Sequence, residues 1–560
     1  MDRFNLGSHS RKVSTASAEA QRWFDAGLNW CFAFNKSEGV KCFRKALAFD
    51  PDCVMAHWGV AYGSGPFYNL TWRDLGEPEA VVATGTAFAH IQKARALARG
   101  ATELENRLVE SQARRVPKPH PVAPEEYDRW DDAYAAEMRE IYRQHGDDSD
   151  VVALFVEALI TRTPRRLWDV RTGKAAPNSD VIEALDVCER SIAQQGVSAH
   201  PALLHLHIHI LEMSNEPERA MVSAEALGPL CPDAGHLNHM PAHVYMLVGD
   251  YERARQTSEK AIAANDRFLA YAGPLTPYTT GCAHDLLLMM HACMFMGRYG
   301  DAIAAADKLC GMVTREVLSV AGRPKFSTSL EGYSSMRMHV LVRFGRWQDI
   351  IDELLPDDPD LYPVSTAMHY YGKAVAHATL KQFQQAESER RLFHQSLARI
   401  SPHRKVFNNS ARTILGVAEK MLDGELNYHQ GHYEVAFASL REAVDRDDNL
   451  EYVEPWAWMH PPRHALAALL AEQGHFAEAE QIYRDDLGLS GRIQRCAQHP
   501  DNIWALRGLA ECLEQRNETI ELASISAKLE AVAALADILV ESSCMCRTTV
   551  RPLRASDCCH

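Results

Sequence analysis

One short phrase recurs along this chain and constrains its fold more than any other feature. It reads "GDYERA" at Gly249–Ala254, "GRYGDA" at Gly297–Ala302, "GRWQDI" at Gly345–Ile350, "GHYEVA" at Gly431–Ala436 and "GHFAEA" at Gly474–Ala479. Each copy has a glycine, an aromatic residue two positions on and usually a small residue three further. Apolar stretches of helical character flank every copy. Glycine permits a tight turn between two helices, and the aromatic packs at the start of the second. A chain that repeats such a unit buries one continuous core by stacking the units on each other.

The phrase resembles the turn of the tetratricopeptide repeat, a helix–turn–helix unit of about 34 residues. Setting Ala254 to the repeat's small position starts one unit at Gly235 and the preceding one at Pro201. The repeat's closing proline then falls on Pro232, and in a unit begun at Ala20 it falls on Pro51. The chain is therefore predicted to be all-α, a tetratricopeptide-like α-solenoid. Repeats are expected over 1–79, an irregular helical segment over 80–200, histidine-rich repeats over 201–350, further repeats over 351–540 and a cysteine-rich tail over 541–560. An insertion at Leu269–Cys282 separates two units and is read as a candidate lid.

Histidines crowd one part of this array. With 26 in 560 residues, a 44-residue window should hold about 2, yet His200–His243 holds 7. His205, His209 and Glu212 are spaced i, i+4 and i+7; His236, His239 and His243 are spaced i, i+3 and i+7. Residues three and four apart share a helix face. Two histidines one turn apart form the pincer that grips metal in HExxH enzymes. In the resemblance, these residues fall on groove-facing positions of first helices, as do His284, His291 and His339. The expected ligands are His205, His209, His239 and His243. His236, Glu212 or His284 would complete the shell or act as base, and Tyr245 would orient substrate. Imidazole-rich sites suit Fe, Cu or Zn, whereas Ca and Mg prefer oxygen.

Several longer phrases, "HLNHMPAHVYMLVGDYERA", "EPWAWMHPPRHALAALL", "CAQHPDNIWALRGLAECL" and "SSCMCR" among them, look like a widespread group of bacterial tetratricopeptide-repeat proteins with a His-Met-Pro-x-His motif, here His239–His243. That resemblance covers nearly the whole chain and implies the fold without implying a particular reaction. Relatives tend to read His-Asn where this chain reads His284-Asp285. A second, weaker cluster is His460, His464, Cys496 and His499.

Composition narrows the function. The net charge of −15 argues against nucleic acid and against anionic membranes. No apolar run is long enough to span a bilayer, and the first residues lack the apolar core of a secretory signal. The 14 cysteines form no paired framework, so they are expected to be reduced thiols in the cytoplasm. The expectation is a metal-dependent enzyme, an oxidoreductase of oxygenase type or a hydrolase, acting on a small organic molecule with an open metal position. The alternative is a repeat scaffold that binds a peptide or protein, with a structural metal or none. Clamping a peptide would favour Lys and Arg at the inner positions, and those are scarce here.

Overall fold

All five glycines of the repeated phrase adopt positive φ: +81° at Gly249, +71° at Gly297, +62° at Gly345, +85° at Gly431 and +83° at Gly474. In this computed structural model, which describes residues 3–195 and 200–549, the aromatic of every copy is the first residue of a helix. Those helices are Tyr251–Ala272, Tyr299–Met312, Trp347–Asp352, Tyr433–Asp448 and Phe476–Asp486. The small position is fully buried in each, at Ala254, Ala302, Ile350, Ala436 and Ala479. Left-handed backbone at the turn and a small buried residue on the second helix let the two helices close on one another.

The same turn is made where the phrase is absent. Phe34, Lys381 and Asn517 take φ of +57°, +59° and +59° between paired helices. A bulky residue there is strained by roughly 1–2 kcal/mol, so pattern-matching on glycine misses these hairpins. The fold is all-α and tetratricopeptide-like, with strand confined, among the described residues, to two short hairpins and an isolated bridge.

Two compact units divide the chain. The first comprises Met1–Val244, Thr257–Asp285 and Val320–Phe326. In it Ala18–Phe32 pairs with Lys36–Phe49, Val54–Ser64 with Glu77–Ala96, and Glu103–Arg115 with Pro124–His145. Helix Ser149–Thr161 is buried over most of its length and packs on Pro201–Leu211. Every residue of Pro201–Leu211 is buried, histidines included. Between residues 100 and 195 run helices Glu103–Arg115, Pro124–His145, Ser149–Thr161 and Val181–Gln195, with a two-stranded hairpin, Trp168–Asp169 and Lys174–Ala175, between the last two.

The second unit comprises Tyr245–Gln256, Leu286–Ser319 and Ser327–His560. Its hairpins stack in chain order: Pro363–Thr379 packs on Ala411–His429, Tyr433–Asp448 on Pro462–Glu472, and Phe476–Asp486 on Ile503–Gln515. The tail departs from expectation. Cys544 and Cys546 form a disulfide, and Arg547 makes a buried two-pronged ion pair with Glu511 at 2.7 and 2.8 Å. Cys558, Cys559 and His560 lie outside the described residues. No helix among the described residues is long and apolar enough to cross a membrane.

The insertion at Leu269–Cys282 is not a free loop. Helix Tyr251–Ala272 continues through its first residues and helix Thr279–Met296 starts before its end. Buried Tyr278 accepts the His236 backbone N–H at 2.9 Å, which ties the segment to the histidine region.

Candidate metal centre

Six imidazoles and two carboxyls converge inside the first unit. His205 and His209 come from helix Pro201–Leu211, with Glu212 at its end. His236, His239 and His243 come from Gly235–Val248, and His284 and Asp285 from the first turns of Thr279–Met296. Pro241 sits inside Gly235–Val248, between two of these histidines. It removes one backbone donor, yet the helix runs on.

The histidines sort into two trios, and the grouping differs from the one expected. His205, His209 and His236 bring one ring nitrogen each within 4.8 Å of one another, and so do His239, His243 and His284. In the first trio His205 Nε2 lies 3.1 Å from His236 Nε2. In the second His243 Nε2 lies 2.7 Å from His239 Nε2 and 3.4 Å from His284 Nε2. His236 and His284, expected to assist, thus stand among the converging nitrogens.

The opposite ring nitrogens of His205, His209 and His243 are held by acceptors. His205 Nδ1 is 2.9 Å from the Phe32 carbonyl oxygen, which can only accept. Its proton is therefore on Nδ1, and Nε2 offers a lone pair. Glu212 spans both trios: one carboxyl oxygen is 2.9 Å from His209 Nδ1 and the other 2.7 Å from His243 Nδ1. In its ionised form it only accepts, which puts the proton of each ring on Nδ1 and makes Nε2 the accepting nitrogen. Asp285 lies 3.4 Å from His239 Nδ1 without a hydrogen bond to it and accepts from Asn265 Nδ2 at 2.7 Å. Carboxylate backing of the kind Glu212 gives is how proteins orient imidazole ligands. Both Glu212 carboxyl oxygens are thus engaged with ring nitrogens, one in each trio.

Burial governs the electrostatics. His205, His209, His239 and Asp285 are fully enclosed, Glu212 and His243 nearly so, and His284 is half-buried. Desolvation pushes His205 and His284 down to about 3 and takes His209, His236 and His239 well below their ordinary value. These imidazoles stay neutral, the form that ligates metal. Desolvation also lifts Glu212 well above the usual carboxylate range, with Arg165 opposing, and pushes Asp285 up to about 8. Buried carboxyls beside neutral imidazoles leave room for positive charge. His209 Nε2 has no hydrogen-bond partner although it is buried.

Aromatic rings close the first trio. Phe34 lies 4.2 Å from His205 and stacks on His209 and His236 at 5.7 and 5.2 Å between centroids. Tyr68 sits 4.7 Å from His209. The sequence pattern gave no sign of Phe34, Tyr68 or the Phe32 carbonyl, which come from segments more than 130 residues upstream of His205. Asp285, set aside in the sequence because relatives differ there, contacts the cluster directly.

Other expected members lie elsewhere. His291 and His339 belong to the second unit. Tyr245 also belongs to the second unit, where Arg253 stacks over its ring at 4.5 Å. His207, on the same helix, bonds Ser223 Oγ at 2.8 Å. In the second unit His464 Nε2 and His499 Nδ1 both bond Asp486, at 2.8 and 2.7 Å. His339 Nδ1 is 3.3 Å from His460 Nδ1. Burial pushes the Cys496 thiol up to about 11, and its backbone carbonyl, not its sulfur, engages Trp456.

Comparison with known proteins places the fold in loose company. No family model matches the chain, and no curated protein matches its sequence. Among solved structures it is similar to the Cut9–Hcn1 hetero-tetramer of the APC/C, with 13% identity over 90% of this chain and 78% of that one, and a TM-score of 0.28. Yeast Tom70 aligns with 10% identity over 93% and 90% of the two chains, at a TM-score of 0.29. The human IFIT1 dimer with m7Gppp-AAAA aligns with 11% identity over 93% and 91%, at 0.30. Likeness at this level carries no inference about ligands or partners.

Proposed function

We propose that the first unit binds transition-metal ions, one at each histidine trio, and that the protein is a metal-dependent enzyme acting on a small organic molecule. The observation that carries this reading is the convergence of six imidazoles into two trios, with the Nδ1 atoms of His205, His209 and His243 held by acceptors. A tetrahedral ion with metal–nitrogen bonds of about 2.0–2.1 Å sets its ligand nitrogens roughly 3.3 Å apart. The separations of 2.7, 3.1 and 3.4 Å bracket that spacing. The all-imidazole donor set fits Fe, Cu or Zn.

Three protein ligands per ion leave a position for water or substrate, the pattern of catalytic sites. An ion so held supplies Lewis acidity or, for Fe and Cu, redox chemistry. The chain's own groups do the rest. Glu212 fixes one ring of each trio, His209 and His243, and Phe34 and Tyr68 exclude water from the first trio. His284, half-buried, marks the side from which a small molecule would arrive.

A second reading keeps the metal but makes it structural, with the repeats serving as a scaffold for a peptide or protein. The near-complete burial of the first trio favours it. Elemental analysis of untagged protein, followed by spectroscopy of the Co(II)-substituted form, separates the readings. Four or more protein ligands and no exchangeable water support the scaffold; an exchangeable position supports the enzyme. Absence of metal after growth in Fe-, Cu- and Zn-supplemented medium without chelator overturns both metal readings.

A further inference from the structure

The tail motif Ser542–Arg547 lies in the second unit and shares no residue with the histidine trios. Its two cysteines, Cys544 and Cys546, are joined in a disulfide across a single residue. The stabilisation a bridge gives grows with the loop it closes, so a bridge this short adds little to the fold. The segment is already held without it. Ser543 Oγ donates to the His464 carbonyl at 3.0 Å, and Arg547 pairs with Glu511. The other cysteines among the described residues are free thiols.

The two members of the pair differ in access. Cys546 is fully buried, whereas Cys544 is half-buried and lines a cleft together with Glu425. A carboxyl stands beside both sulfurs: an oxygen of Glu425 lies within 4.8 Å of each. Glu425 is 1% exposed, and its Oε2 has no hydrogen-bond partner. Burial pushes Glu425 up to about 8, so at neutral pH it is mostly the uncharged acid, with a proton to give. The Cys546 backbone N–H donates to Cys544 Sγ at 3.2 Å, which favours negative charge on that sulfur.

We infer that Cys544 and Cys546 are a reversible dithiol–disulfide pair that exchanges with low-molecular-weight thiols, attacked at Cys544, with Glu425 as the acid for Cys546. A small thiolate bonds to Cys544 Sγ as the Cys544–Cys546 bond breaks. The electron pair leaves on Cys546, where burial disfavours a thiolate, and Glu425 supplies its proton. A second thiolate then attacks the sulfur of the bound thiol and releases the small-molecule disulfide. Cys544 leaves as a thiolate held by the Cys546 N–H and takes a proton from water, and water reprotonates Glu425. Two thiols are oxidised to one disulfide, the pair gains two electrons, and the two protons the thiols lost end on the two cysteines.

The test equilibrates the folded full chain with reduced and oxidised glutathione, quenches by alkylation and reads the Cys544–Cys546 peptide by mass spectrometry. The pair is expected to pass between disulfide and dithiol in both directions with helix content unchanged by circular dichroism. In Cys546→Ser, glutathione should stay on Cys544 as a mixed disulfide. Glu425→Gln should slow reduction at neutral pH at least tenfold. If Glu425→Gln fails to fold, the pH profile of the unaltered chain decides: the rate per glutathione thiolate should fall above about pH 8, as Glu425 loses its proton. A disulfide that reduced glutathione leaves intact in the folded chain, or no adduct on Cys544 in Cys546→Ser, overturns the pair. An unchanged rate in folded Glu425→Gln, or a rate per thiolate that is flat across pH 8, overturns the role of Glu425.

Discussion

His239 and His243, one helical turn apart, bring their Nε2 atoms to 2.7 Å, while His243 Nδ1 rests 2.7 Å from Glu212. Two neutral imidazole nitrogens at that distance are held either by one N–H···N hydrogen bond or by a metal ion that takes both lone pairs. The environment lowers the proton affinity of His239 well below normal, burial first and the neighbouring imidazoles next. A metal satisfies both lone pairs at once.

Loading should therefore be divisible. His243→Ala is expected to empty the trio of His239, His243 and His284 and to leave the other loaded. His205→Ala should do the reverse. Mass spectrometry of metal content is expected to read half the unaltered ratio in each single variant and near zero in the double. Helix content by circular dichroism should hold in all of them, because stability in a repeat array is spread over many interfaces. Loss of all metal in either single variant would mean one shared centre.

Glu212→Gln should affect both trios together, since one side chain backs His209 and His243. Loss of a carboxylate behind a ligating histidine lowers metal affinity by about 10–100-fold. Competition with a chromophoric chelator measures this. An effect on one trio only, read by metal-to-protein ratio, would contradict the bridging role.

Acid should weaken the second unit in a predictable direction. Burial pushes His339 down to about 3 and His464 down to about 4, from an ordinary 6.5. Between those values and 6.5 the unfolded chain holds protons that the folded chain excludes. Their folded form is therefore fully favoured above about pH 6.5 and loses ground as pH falls, by up to about 1.4 kcal/mol per pH unit per histidine. Urea midpoints should fall from about pH 7.5 to about pH 5. His339→Gln should show a shallower fall, and an unchanged slope would remove His339 from the account.

The turn glycines should rank by what surrounds them. A Cβ on Gly431 or Gly474 meets nothing within 4 Å, so alanine there should cost only the left-handed backbone strain, about 1–2 kcal/mol. A Cβ on Gly249 would sit 2.7 Å from the Pro500 carbonyl oxygen, so Gly249→Ala should cost more than either. Denaturant midpoints of the three variants check the order.

The sequence alone determined the local grammar of this protein. Glycine with an aromatic two residues later specifies a turn and the first residue of the next helix, because both effects act within a few residues. Spacing of i, i+3, i+4 and i+7 likewise put His205 with His209, and His239 with His243, on common faces. Tertiary structure decided which faces meet. His236 joins His205 and not its own helix-mate His239, and His284 joins His239 and His243, because inter-helix packing sets distances that spacing along one helix does not contain. The same holds for Phe34 over the first trio and for Asp285 beside His239. Each depends on residues distant in the chain, brought together by the burial of apolar surface elsewhere in the repeats.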